Sequence, residues 1–169
     1  MNKGDLPSQF RGPDDSPGFL LWQVANAWQR RQRQALEEMG LTHVQFVLLA
    51  GLEWLAGNGQ SITQATLARY ARVDEMMTSQ VIRVLEKRGL VARTSHPTDS
   101  RAKCLALTHE GRSLLERATP IVAQADETFF TVDGVSASAL LHMLRTIAQA
   151  SRLSEDGDGR LAGRVVGLS

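Results

Sequence analysis

The stretch Asp74-Glu75-Met76-Met77-Thr78-Ser79-Gln80-Val81-Ile82-Arg83-Val84-Leu85-Glu86-Lys87-Arg88-Gly89 opens on a helix-capping aspartate and closes on a helix-stopping glycine. At 3.6 residues per turn it separates into two faces. Met77, Thr78, Val81, Ile82 and Leu85 form an inward stripe, and Met76, Ser79, Gln80, Arg83 and Lys87 share the outward side. Such a face can offer Gln80 to an adenine edge, Arg83 to guanine and Met76 to a thymine methyl. Taken alone, it fits an ordinary solvated helix face equally well.

The neighbouring residues narrow the choice. Immediately upstream, Thr63 is a good N-cap for a short helix carrying Ala65, Leu67, Ala68 and Ala71. Two such helices across a turn of about three or four residues read as a helix-turn-helix. Downstream, Leu90–Thr94 and Cys104–Leu107 are short apolar runs separated by polar Ser95–Arg101, which predicts a hairpin wing.

Further out, Leu21, Ala25, Trp28, Gln32, Ala35 and Met39 recur at three-four spacing, apolar except for Gln32, and predict one long amphipathic helix ended by Gly40. Thr42 and Gln45 form a capping-box pattern opening a second helix through Phe46, Leu49, Leu52 and Leu55. On the C-terminal side, Thr108 caps a helix over His109 to about Phe130, with a kink expected at Pro120. Ser136 caps a last one carrying Leu140, Leu141, Leu144, Ile147 and Ala148. The expected organisation is a flexible arm at 1–16, supporting and dimerising helices at 17–60, a winged helix-turn-helix lobe at 61–107, further dimerisation helices at 108–154 and a glycine-rich flexible tail at 155–169. The fold class is mainly α, with long N- and C-terminal helices and a two-stranded β-wing.

At 169 residues the chain suits one folding unit, and its formal net charge is only +1. The charge is unevenly placed. Residues 61–107 hold eight basic side chains (Arg69, Arg72, Arg83, Lys87, Arg88, Arg93, Arg101, Lys103) against four acidic ones (Asp74, Glu75, Glu86, Asp99), whereas both flanks carry more acids than bases. A polyanion is therefore expected at the middle segment. The single cysteine, Cys104, excludes an intramolecular disulfide and is read as a small buried hydrophobe. His43, His96, His109 and His142 lack metal-ligand spacing, so neither metal nor cofactor is expected. No signal-peptide core and no run of about 18 apolar residues are present, which points to a soluble cytoplasmic protein without a membrane partner. Phosphate loops, nucleophile elbows and paired catalytic carboxylates are also missing, so an enzyme with catalytic residues is not expected.

Four linked segments carry a resemblance: Ile62–Ala68; Met77–Val91 with its ending Leu85-Glu86-Lys87-Arg88-Gly89-Leu90-Val91-Ala92-Arg93; Asp99-Ser100-Arg101-Ala102-Lys103; and Leu107-Thr108-His109-Glu110-Gly111-Arg112. In order and spacing they resemble the MarR (multiple antibiotic resistance regulator) family, over roughly Phe19 to Leu153. The resemblance implies a cytoplasmic homodimeric repressor that binds double-stranded DNA at a pseudo-palindromic operator, with recognition helices about 34 to 36 Å apart. It implies that Asp99 orients Arg101 into the minor groove, a route the groove's negative potential favours. The family's common Asp-Arg-Arg is here Asp99-Ser100-Arg101, one positive charge fewer. Thr66 and Arg69 on the first helix of the motif and Lys103 on the wing complete the candidate DNA-contacting set. Surplus apolar surface on the terminal helices independently calls for a partner surface. The resemblance further implies a small aromatic or phenolic effector in a crevice beside the DNA-binding lobe, where Trp22, Trp28, Arg31, His43 and Trp54 are candidate lining residues. Cys104 lies on the second wing strand, not on the first helix where peroxide-sensing members carry their thiol. The competing interpretation is a winged-helix protein–protein interaction module without direct DNA readout.

Overall fold

A computed structural model of the chain describes residues 12–59, 61–95 and 103–162. Among the described residues, six α-helices and one two-stranded antiparallel sheet follow in the order α1 (Pro17–Leu36), α2 (His43–Gly57), α3 (Gln64–Ala71), α4 (Glu75–Lys87), β1 (Val91–Ser95), β2 (Lys103–Leu107), α5 (His109–Phe130) and α6 (Ala137–Ala162). The chain divides into one compact unit through Glu127 and another from Thr128.

Local chemistry sets most boundaries in the first unit. Ser16 accepts the Phe19 amide and Pro17 takes the first helical position, where a missing N–H costs nothing. The capping box that opens α2 is complete: Thr42 Oγ1 accepts the Gln45 amide at 3.3 Å, and Gln45 Oε1 accepts the Thr42 amide at 3.1 Å. Thr63 caps α3 by accepting the Thr66 amide, and Asp74 caps α4 by accepting those of Met76 and Met77. Between these helices Arg72 lies in the left-handed region at φ 55°, giving a tight turn of Arg72, Val73 and Asp74.

Leu36, Leu48, Leu49, Leu52, Leu67, Ile82 and Leu85 are essentially solvent-free and form the centre of the core. Each contributes roughly 1.5–3 kcal/mol by burial. The wing strands pair from Val91 opposite Leu107 to Ser95 opposite Lys103. Leu105 N–H also donates to the Ile62 carbonyl at 2.7 Å, roping the residues before α3 to the open side of β2. Between α4 and α5 the chain passes very close to itself. Thr108 N–H donates to the Leu90 carbonyl, Thr108 Oγ1 donates to the Gly89 carbonyl, and a Cβ on Gly111 would lie 2.0 Å from the Leu90 oxygen. The Leu-Thr-x-x-Gly stretch is thus the docking joint of α5, and only glycine fits its last position.

The structure departs from the sequence expectations in several places. The first helix ends at Leu36, and Glu37–Met39 tighten into a 3-10 turn before Gly40 at φ 59°. A single 3-10 turn, Pro13–Asp15, lies within the expected arm, closed by Asp15 N–H to Gly12 O and Ser16 N–H to Pro13 O. In the second unit, α6 continues past Glu155 to Ala162, into the expected tail, because extending a formed helix fixes one residue per added hydrogen bond. Residues 1–11 of the arm and 163–169 of the tail lie outside the described residues.

Candidate nucleic-acid interface

Helix α4 presents its two faces cleanly. Thr78, Ile82 and Leu85 are buried and Val81 is half-buried. Thr78 Oγ1 satisfies itself on the Asp74 carbonyl at 2.9 Å, which is how a hydroxyl sits without cost in this packed face. On the opposite arc Met76 is 72% exposed, Gln80, Arg83 and Lys87 are exposed, and Ser79 is partly so. Met77, expected inside, is 50% exposed. It lies one residue before Thr78 and so about 100° off the buried line. Val84, also exposed, completes the arc. The outward face therefore mixes apolar with polar and basic groups.

The remaining candidates flank this helix. Arg69 on α3 and Lys103 at the start of β2 are exposed. Thr66 is half-buried and shares a 2.9 Å hydroxyl–hydroxyl bond with the cap residue Thr63, so its side chain serves the start of α3. Asp99 and Arg101 lie outside the described residues. Two exposed arginines of the basic segment are engaged by other parts of the protein: Arg93 Nε pairs with Glu86 Oε1 at 2.7 Å, tying β1 to α4, and Arg88 reaches Gly40 and Gln45. The charge count of 61–107 consequently overstates what faces outward from α4.

The five effector candidates do not converge within one chain. Trp22 is 62% exposed and stacks on Phe19. Arg31 is exposed on α1. Trp54 borders a separate groove of about 410 Å³ with Ala50, Glu53, Leu115 and Thr119. Only Trp28 and His43 meet, edge to face with ring centroids 4.8 Å apart. Their neighbour is a carboxylate that the sequence analysis did not single out. Asp126 Oδ1 accepts Trp28 Nε1 at 2.7 Å and Gln32 Nε2 at 2.5 Å, joining α1 to α5. Burial pushes the His43 imidazole below its ordinary pKa, and the Asp126 charge opposes that shift in part. The signal was Gln32, the one polar residue in the apolar stripe of α1: fully buried, it required a polar partner. Among the described residues no group of three or more His, Cys, Asp or Glu is placed to hold a metal ion, and no single helix is long and apolar enough to cross a membrane.

Comparison with known proteins bears directly on this arrangement. Residues 37–123, just over half of the chain and containing α2 to β2 and most of α5, match the family model described as ArnR1-like, winged-helix domain. The chain is 46% identical over 123 residues to the HTH-type transcriptional regulator YdcH of Bacillus subtilis, covering 73% of this chain and 84% of that one. It is 37% identical over 114 residues to the HTH-type transcriptional repressor Rv2887 of Mycobacterium tuberculosis, covering 67% and 79%. Among solved structures, a MarR-family regulator from Rhodococcus sp. RHA1 matches with TM-score 0.68 at 28% identity, over 81% of this chain and 93% of that one. The chain belongs to the MarR family. CouR of Rhodococcus jostii RHA1 bound to p-coumaroyl-CoA is similar to this MarR-family regulator, with TM-score 0.69, 29% identity and coverage of 81% and 92%. CouR on a 23-mer DNA duplex gives TM-score 0.71 at 28% identity over 80% and 94%. In this regulator the family's helix-turn-helix is α3–turn–α4, and its wing is β1–β2.

Proposed function

We propose that this DNA-binding transcriptional regulator is a homodimeric repressor that reads a pseudo-palindromic operator with the outward face of α4 and is released by a small aromatic ligand. The exposed arc Met76, Ser79, Gln80, Arg83 and Lys87, held over the buried Thr78, Ile82 and Leu85, carries the proposal. A rigid, capped helix with that arc fits the major groove. Gln80 and Arg83 supply bidentate partners for adenine and guanine, each worth about 1–3 kcal/mol of discrimination. Lys87, Arg69 and Lys103 serve phosphates, and the family resemblance adds Asp99 and Arg101 as the minor-groove pair. Support for repression comes from the repressor relative, and support for an aromatic effector from CouR with p-coumaroyl-CoA. Trp28 and His43 remain the best-placed candidates for sensing, because they border the polar joint between α1, α2 and α5. Exposed Phe19, Leu20, Leu21 and Trp22 on α1, and Leu141, Leu144 and Ile147 on α6, supply the apolar surface a second copy would cover.

The test is fluorescence anisotropy on duplexes from the region upstream of the protein's own gene. Arg83→Ala and Gln80→Ala are expected to weaken binding by about 1–3 kcal/mol and to relax base preference at single positions. Addition of p-coumaroyl-CoA or p-coumarate is expected to release the duplex. Binding that does not change with salt would instead favour protein–protein recognition, since phosphate contacts impose a steep salt slope.

A further inference from the structure

Arg88, itself exposed, stands one residue beyond Lys87 and about 100° around the helix from it, at the edge of the outward arc of α4 on the side of Val84. Its Nη1 donates to the Gly40 carbonyl at 2.8 Å and to Gln45 Oε1 at 3.3 Å, residues 48 and 43 positions away. Both ends of this bridge are rigid. On one side, Gly89 N–H to Glu86 O and Leu90 N–H to Leu85 O close the end of α4, with Leu85 and Leu90 buried. On the other, Gly40 is held at φ 59°, Leu41 N–H returns to the Leu36 carbonyl, and Gln45 Oε1 is already fixed by the capping box. A guanidinium spanning two fixed anchors sets their separation, because its planar donors are pre-organised.

We propose that Arg88 is a positioning residue for DNA reading: without touching DNA, it fixes the pitch of α4 against the corner between α1 and α2. The proposal rests on α4 being the reading helix.

Two variants and a control test it. Arg88→Ala removes the donor and Gln45→Leu removes one acceptor, whereas Thr42→Ala weakens the α2 cap but leaves both acceptors in place. Affinity is measured against salt concentration, on the upstream duplex and on a random duplex of equal length. Arg88→Ala and Gln45→Leu are expected to lower affinity for the upstream duplex about fivefold, with unchanged salt slope and unchanged random-duplex binding. The double variant is expected to be no worse than Arg88→Ala alone. Arg88→Lys is expected to fall between, and Thr42→Ala to bind as the parent does. A salt slope lower by about one, with weaker random-duplex binding, would make Arg88 a phosphate contact and overturn the proposal. Unchanged affinity, or an innocent Gln45→Leu, would overturn it too. Hydrogen exchange on the DNA-free protein gives a separate readout: the Gly89 and Leu90 amides are expected to exchange faster in Arg88→Ala, and unchanged exchange refutes the restraint. If the parent protein binds neither duplex, the assignment of α4 as reading helix fails while exchange still decides the restraint.

Discussion

At the scale of single residues, two positions have consequences out of proportion to their size. Gly111 has no room for a side chain, since a Cβ would meet the Leu90 carbonyl oxygen at 2.0 Å. Gly111→Ala must therefore push α5 away from the end of α4. Destabilisation of about 3 kcal/mol is expected, read by denaturant unfolding. His43 makes stability depend on pH. Its pKa is lowered in the folded state by burial, only partly offset by Asp126, so the unfolded chain binds the proton first. Stability is then retained above the ordinary histidine pKa of about 6.5 and lost as pH falls through the lower folded value. Thermal melts from pH 8 to pH 5 are expected to show a decline below about 6.5 that is shallower in His43→Leu. Asp126→Asn is expected to steepen the decline, because the opposing charge is gone.

At the scale of elements, α4 depends on its first turn. Asp74 Oδ1 accepts two amides, at 2.9 and 3.0 Å, and Met76 and Met77 in that turn stay exposed. Asp74→Ala is expected to cost about 1 kcal/mol of stability and to weaken operator binding further by fraying the turn that carries Met76. Circular dichroism melts alongside anisotropy check both parts. Elements of this kind were legible in the sequence because they are specified locally: Thr42 with Gln45, Thr63, Asp74 and Gly89 announce their own boundaries. The partners that join elements were not. Nothing near Arg88 points to Gly40, nothing near Asp126 points to Trp28, and the bond from Leu105 to Ile62 crosses 43 positions without a pattern at either end. Met77 was misplaced for a related reason. Its apolar chemistry assigned it inward, while the geometry of the buried line through Thr78, Ile82 and Leu85 assigns it to the solvent face.

At the scale of the whole molecule, the exposed apolar residues of α1 and α6 bear on assembly. If a second copy covers them, Ile147→Glu on α6 is expected to shift the sedimentation equilibrium from dimer towards monomer and to weaken operator binding more strongly at low protein concentration. A species that remains monomeric in the parent protein would sink the dimer proposal. The outward arc of α4, by contrast, was readable from one sequence because the buried stripe Thr78, Ile82 and Leu85 leaves the polar and basic residues on the opposite side.

The bond between Leu105 and Ile62 reaches beyond recognition. A two-stranded wing standing alone would have unpaired amides and carbonyls along both margins, a template for joining another chain's strand. With Ile62 seated against β2, one of those margins is partly occupied by the protein's own backbone. That margin therefore offers fewer free groups to another chain's strand, and Leu105→Pro, by removing the donor, is expected to reopen it.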